Sequence, residues 1–130
     1  MTVRTARCCC GDCSITVEGE PSLNALCHCT SCRRRTGSAF GWSAYFPDER
    51  VLAKSGHLEV YAKEGDGGYR RFFCARCGTT LHWKSFGFLP DQTGVAGGCF
   101  VDDKLPEPNL SAQDRDRCAW LSLPSAWLRT

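Results

Sequence analysis

An all-β fold follows from three features of this sequence. Short alternating or β-branched stretches recur along it, glycine, proline and aspartate separate them, and no segment sustains a 3.6-residue apolar period. Taken in order, residues 14–17, 40–46, 58–61, 69–73, 79–83 and 95–101 read as strands. Residues 30–36 alone read as a short helical turn, wrapped beside a group of cysteines. Pro47-Asp48-Glu49 is a turn, and Gly65-Asp66-Gly67-Gly68 is a hairpin turn feeding the strand that ends at Cys74. Residues 102–117, with Pro106, Pro108 and alternating charge, read as a surface connection to a last strand at 119–123.

With 130 residues, 42% hydrophobic and 23% charged, the chain has the composition of a single globular domain over residues 1–130. At this size roughly two thirds of the unfolded surface is buried on folding. No apolar run reaches a membrane-spanning length, and residues 1–7 carry no apolar stretch resembling a signal peptide. A cytoplasmic protein is expected. In a reducing compartment its 11 cysteines, an odd number, point to metal ligands or reduced thiols and not to a disulfide framework.

The cysteine spacings are those of metal sites. Cys8 and Cys10 flank one residue, so an extended segment points both thiols to one face while Cys9 points away. Cys74-Ala75-Arg76-Cys77-Gly78 has the form of a zinc knuckle, its glycine permitting the turn that aims both sulfurs inward. Together the two pairs make a closed four-thiolate site of structural type. The middle cluster, Cys27-His28-Cys29-Thr30-Ser31-Cys32, brings three sulfurs together and leaves a tetrahedral position open. Two zinc ions of unequal character are therefore expected, the three-thiolate one being the more easily lost. Binding of both as thiolate sites turns the formal charge of +2 slightly negative. That gives no electrostatic reason to expect nucleic acid or an acidic membrane as partner.

His28 alternates away from its neighbours and is not expected to ligate, while His57 and His82 read as ordinary surface or packing histidines. Arg33, Arg34 and Arg35 follow directly on Cys32, where a guanidinium can bind a substrate carboxylate bidentately. Cys9, Cys13, Cys99 and Cys118 are left as buried or incidental thiols. Trp42, Phe72, Phe73, Trp83 and Trp120 are better explained as core than as a substrate cage.

Cys8-Cys9-Cys10-Gly11, Leu26 to Arg34 with its three cysteines, Thr36-Gly37-Ser38-Ala39-Phe40, and Arg71 to Leu81 around Cys74 and Cys77 come in an order that resembles one family. It is the glutathione-dependent formaldehyde-activating enzyme family, which includes centromere protein V. The resemblance implies a zinc-stabilised β-tent fold of antiparallel sheets with very little helix. It implies a structural zinc on Cys8, Cys10, Cys74 and Cys77, and a catalytic zinc on Cys27, Cys29 and Cys32. The activity implied is that of a zinc-dependent carbon–sulfur lyase acting on glutathione–aldehyde adducts, like an S-hydroxymethylglutathione synthase, with the thiol at the open zinc position. Cys9 departs from the family pattern, as does Arg117-Cys118-Ala119-Trp120 where a histidine is usual.

An alternative class is a non-catalytic, zinc-stabilised binding module for a protein or nucleic acid. The absence of a basic tail or a long Lys/Arg stripe disfavours it. Hydrolysis by an activated water is disfavoured because no Glu or His beside the middle cluster presents an evident base.

Overall fold

A computed structural model describes residues 1–130. A three-stranded antiparallel sheet, in the order β1-β2-β5, faces an eight-stranded sheet in the order β11-β10-β3-β4-β9-β8-β7-β6. The small sheet holds β1 (Val3–Arg7), β2 (Ser14–Glu18) and β5 (Val51–Ser55). The large one holds β3 (Leu23–Cys27), β4 (Gly41–Pro47), β6 (Leu58–Lys63), β7 (Tyr69–Cys74), β8 (Thr80–Ser85), β9 (Gln92–Ala96), β10 (Leu110–Ala112) and β11 (Leu128–Arg129). A single α-helix, α1 (Thr30–Thr36), connects β3 to β4. The all-β class holds, and no helix is long and apolar enough to cross a membrane.

The core lies between the sheets. Alternation along β1 and β2 sends Ala6, Ile15 and Val17 inward, against Ala44, Phe46, Leu81 and Val95 of the large sheet, all fully buried. Each large apolar side chain buried this way contributes about 1.5–3 kcal/mol relative to exposure. Phe100 and Leu105 complete this cluster. The opposite face of the large sheet carries Tyr45 and Trp83, and it is on this face that Arg35 of α1 lies over the Trp83 ring.

Five strands escaped the reading by alternation, and their burial shows why. In β1 the inward residues are Arg4 and Ala6, and Arg4 is accommodated by Lys104 O at 3.1 Å and Glu20 Oε1 at 3.2 Å. In β3 three consecutive residues are buried, including Asn24, whose Nδ2 donates to Pro106 O at 2.9 Å while its Oδ1 accepts from Trp42 Nε1 at 2.7 Å. A strand covered on both faces does not alternate. The solvated β5 has no apolar inner stripe. Within the segment read as a surface connection, β10 pairs in parallel with β3 and with β11. Residues 119–123 form turns and coil; the last strand is β11. The strand expected at 95–101 ends at Ala96, where Gly97 to Cys99 form a 3₁₀ turn. Gly97 lies flat under the Trp42 ring, leaving no room for a Cβ.

Candidate metal centres and the pocket beside one of them

The turn after β1 and the end of β7 meet so that Cys8, Cys10, Cys74 and Cys77 place their sulfurs within 4.8 Å of one another. Cys8 Sγ and Cys10 Sγ are 3.7 Å apart, and so are Cys10 Sγ and Cys74 Sγ. Four thiolates around one zinc, with Zn–S near 2.3 Å and tetrahedral angles, stand about 3.8 Å apart, so the donor set fits that ion. Backbone N–H groups point at the sulfurs: Cys13 N donates to Cys8 Sγ at 3.2 Å, and Arg76 N and Cys77 N each donate to Cys74 Sγ at 3.4 Å. Such donors favour the thiolate. Cys74 is accordingly lowered, chiefly by the Cys77 amide, and Cys77 is lowered to about 5, chiefly by the Thr79 hydroxyl. Gly78, at φ +80°, makes the turn that aims these amides. Cys13 stands apart: buried, it donates to His57 O at 3.4 Å, and burial pushes its thiol up to about 12.

The second cluster is local. Cys27 ends β3, Cys29 caps α1 with its Sγ accepting from Cys32 N at 3.3 Å, and Cys32 lies in the first turn of the helix. These three sulfurs also fall within 4.8 Å of one another, and no other His, Cys, Asp or Glu joins the group. Cys27 is lowered to about 6, chiefly by the hydrogen bond from Cys32, whose own thiol is pushed up by that same bond and by burial. His28 points the other way, fully buried, with Nε2 2.9 Å from Ser111 Oγ. Because Ser111 Oγ donates to Asp114 Oδ1 at 2.7 Å, it accepts from Nε2, and His28 ties the triad's strand to β10.

Of the three successive arginines, one turns toward the triad. The Arg35 guanidinium lies 4.4 Å from the centroid of the Trp83 ring, a cation–π contact. Its other side rests on Gly41, the cross-strand partner of Cys27. A Cβ at Gly41 would stand 2.5 Å from Arg35 Nη2 and 3.1 Å from Cys32 Cβ, so glycine is what lets the guanidinium lie there. Trp83 is itself held by Nε1 donating to Tyr45 Oη at 3.0 Å. Arg35 Nη2 is buried without a hydrogen-bond partner in the protein. Burial lowers the Arg35 pKa, Cys32 opposing this, but a guanidinium stays charged.

Beside the triad opens a cavity of about 600 Å³, walled by Thr30, Ser31, Arg34 and Arg35 from α1 and by Tyr61, Lys63, Tyr69 and Arg71 from β6 and β7. Arg71 is fixed by donating to Ser31 Oγ at 2.7 Å and by lying 4.1 Å from the Tyr69 ring centroid. Arg33 is exposed and does not line this cavity; it lines a neighbouring groove with Gly37 and Ser38, and Thr30 and Arg34 border both.

The family model for the glutathione-dependent formaldehyde-activating enzyme matches residues 3–114. The chain belongs to this family. Both cysteine clusters, α1 and the cavity fall inside the matched span, whereas β11 lies beyond it. Membership gives the coarse reading of an enzyme connected with glutathione and formaldehyde. A crystal structure of a Rhodobacter sphaeroides protein is similar at a TM-score of 0.60 and 24% identity, covering 75% of this chain and 87% of that one, and supports the fold. No curated protein matches the chain.

Within this family frame the structure assembles both cysteine groups expected from spacing and divides the arginines among different surfaces. Arg71, Lys63, Tyr61 and Tyr69 were not singled out by the sequence. The period of two along β7, which puts Tyr69, Arg71 and Phe73 on one face, was the available signal. The aromatics divide as well. Phe72 packs 5.1 Å from the His82 ring and Trp83 is buried, but Phe73 lines the cavity, and Trp120, 76% exposed, is not core. His57 is a surface residue 3.4 Å from Glu59, and His82 is a packing residue with neither ring nitrogen bonded.

Proposed function

We propose that this chain forms and cleaves a carbon–sulfur bond between a thiol such as glutathione and a small aldehyde, at Cys27, Cys29 and Cys32. The observation that carries this reading is the contrast in ligand number. Four sulfurs converge at Cys8, Cys10, Cys74 and Cys77, a closed set suited to a structural ion, whereas three converge at Cys27, Cys29 and Cys32 with no fourth protein ligand. The chemistry a zinc ion held by those three would supply is stabilisation of a thiolate at neutral pH.

The chain's own residues do the rest. Arg35, clamped between Trp83 and Gly41, sets a fixed positive charge beside Cys32 and so offsets the negative charge of an incoming thiolate. Arg71, held by Ser31, and Arg34 receive substrate carboxylates farther out. In the forward direction the thiol sulfur bonds to the aldehyde carbon, the carbon–oxygen π bond opens, and the thiol proton ends on that oxygen. No electron is gained or lost overall.

The test is Cys29→Ser in protein whose zinc has been counted. Serine keeps an oxygen to cap α1, so the expected result is a folded protein that loses the second zinc and loses calorimetric binding of glutathione. Retained thiol binding with a single zinc overturns the reading.

A further inference from the structure

The cavity beside the triad collects positive charge, and its lining holds no carboxylate to balance it. Arg34, Arg35, Lys63 and Arg71 line it, and no aspartate or glutamate does. None of these four takes part in an ion pair, whereas Arg4, Arg50, Arg76 and Arg117 each have a carboxylate partner. The acids of β6 and of the residue after it are engaged elsewhere. Glu59, on the same face of β6 as Tyr61 and Lys63, lies 3.4 Å from His57, and Glu64 is 3.0 Å from Arg70.

The cations also differ in place. Arg35 is half-buried at the sulfur end, with Nη2 out of water and unpartnered, while Arg71 is preset by Ser31 and Tyr69 on the opposite wall. Only Arg35 faces a counter-charge, the Cys32 sulfur, while Arg34, Lys63 and Arg71 face none; like charges held together repel and a buried donor without a partner is costly, so an anionic ligand relieves both features.

Glutathione matches this lining only in part. Its two carboxylates suit the guanidiniums, but its ammonium finds no carboxylate on the walls and enters a field set by four cations. Only neutral oxygens, such as those of Thr30, Tyr61 and Tyr69, are available to it. We infer that the pocket is built for a thiol whose negative groups are not accompanied by a free amine, so that an acidic, amine-free thiol binds it better than glutathione does. This rests on the thiol reading above and adds the charge class of its substrate.

The experiment is calorimetric titration of the zinc-loaded protein with four ligands: glutathione, N-acetylglutathione, glutathione diethyl ester and S-methylglutathione. N-acetylation removes the ammonium, esterification removes both carboxylates, and S-methylation removes the thiol. The expected order is N-acetylglutathione tightest, by on the order of ten-fold over glutathione, the size that removing one repulsion among partly solvated charges produces. The diester is expected to be the weakest of the three thiols. Arg71→Gln and Lys63→Gln should each shrink the N-acetyl preference, and added salt should shrink it further. Glutathione binding as tightly as its N-acetyl form, or the diester binding as tightly as glutathione, overturns the inference. S-methylglutathione binding as tightly as glutathione overturns the thiol reading and leaves the charge preference to be judged by the other ligands. Failure of all four to bind overturns both.

Discussion

The two cysteine clusters use the same donor atom and differ in how the chain delivers it. Cys10 and Cys74 are 64 residues apart in sequence yet 3.7 Å apart at sulfur, so a metal there closes a long loop and joins the β1–β2 turn to the end of β7. Cys27, Cys29 and Cys32 come from one strand end and one helical turn, so a metal there holds little that β3 and α1 do not already hold. Their surroundings differ in the same sense. Backbone N–H groups wrap the first set, which quiets its charge. Beside the second stand Arg35 and an open cavity. A closed, cross-linking set of four sulfurs suits a structural ion, whereas a set of three leaves a coordination position open.

The largest expected effect tests the cross-linking half of that comparison. Cys74→Ser should remove the long-range centre and abolish a cooperative melt, since structural zinc sites contribute on the order of 10 kcal/mol to folding. Circular dichroism with zinc analysis on the same sample checks this. A variant that melts like the parent would place the fold's stability elsewhere.

Acid gives the next effect, part of which comes from the core and not from either cysteine cluster. His82 is 2% exposed and burial lowers its pKa to about 4, from an ordinary value of 6.5. The unfolded chain therefore takes up the proton first. Stability from this residue is full above pH 6.5 and is lost as pH falls toward 4, by roughly 3 kcal/mol. Denaturant melts at pH 7 and pH 5 should show part of that loss in the parent. His82→Phe should remove the His82 share and leave whatever thiolate protonation contributes.

Arg35→Gln sharpens the other half. Loss of a fixed charge beside the open site should reduce kcat/KM and thiol affinity by roughly 10- to 100-fold with the fold intact. Gly41→Ala should reproduce a large part of this without touching a charge, because its Cβ would take the place of Arg35 Nη2. The double variant should be little worse than either alone. Smallest of all, Arg33→Gln should change thiol binding less than about two-fold, since Arg33 is exposed and, unlike Arg34 and Arg35, does not line the cavity. An Arg33 effect as large as that of Arg35 would undo the assignment of the inward face.

How much of this was legible in the sequence depends on range. Strands β2, β4, β6, β7 and β8 announced themselves by their alternating or β-branched composition between turn residues, although burial alternates cleanly only in β2, and α1 stands at the residues expected of it. The doubly covered β3 and the parallel, three-residue β10 did not, because their burial is imposed by distant segments. Within the site, the cysteine groups were readable because spacings of two and three residues aim sulfurs together by backbone geometry alone. The arginines were not divisible in that way.

By itself, then, the sequence determined the all-β class, the three-cysteine group and the two separate cysteine pairs, since these are set by period and local spacing, while the meeting of the two pairs across 64 residues is a tertiary event. Tertiary structure decided which arginine faces the triad and which cations wall the cavity. Successive helical residues differ by about 100° around the axis, and only the Trp83 ring and the bare backbone of Gly41 select Arg35 from its neighbours.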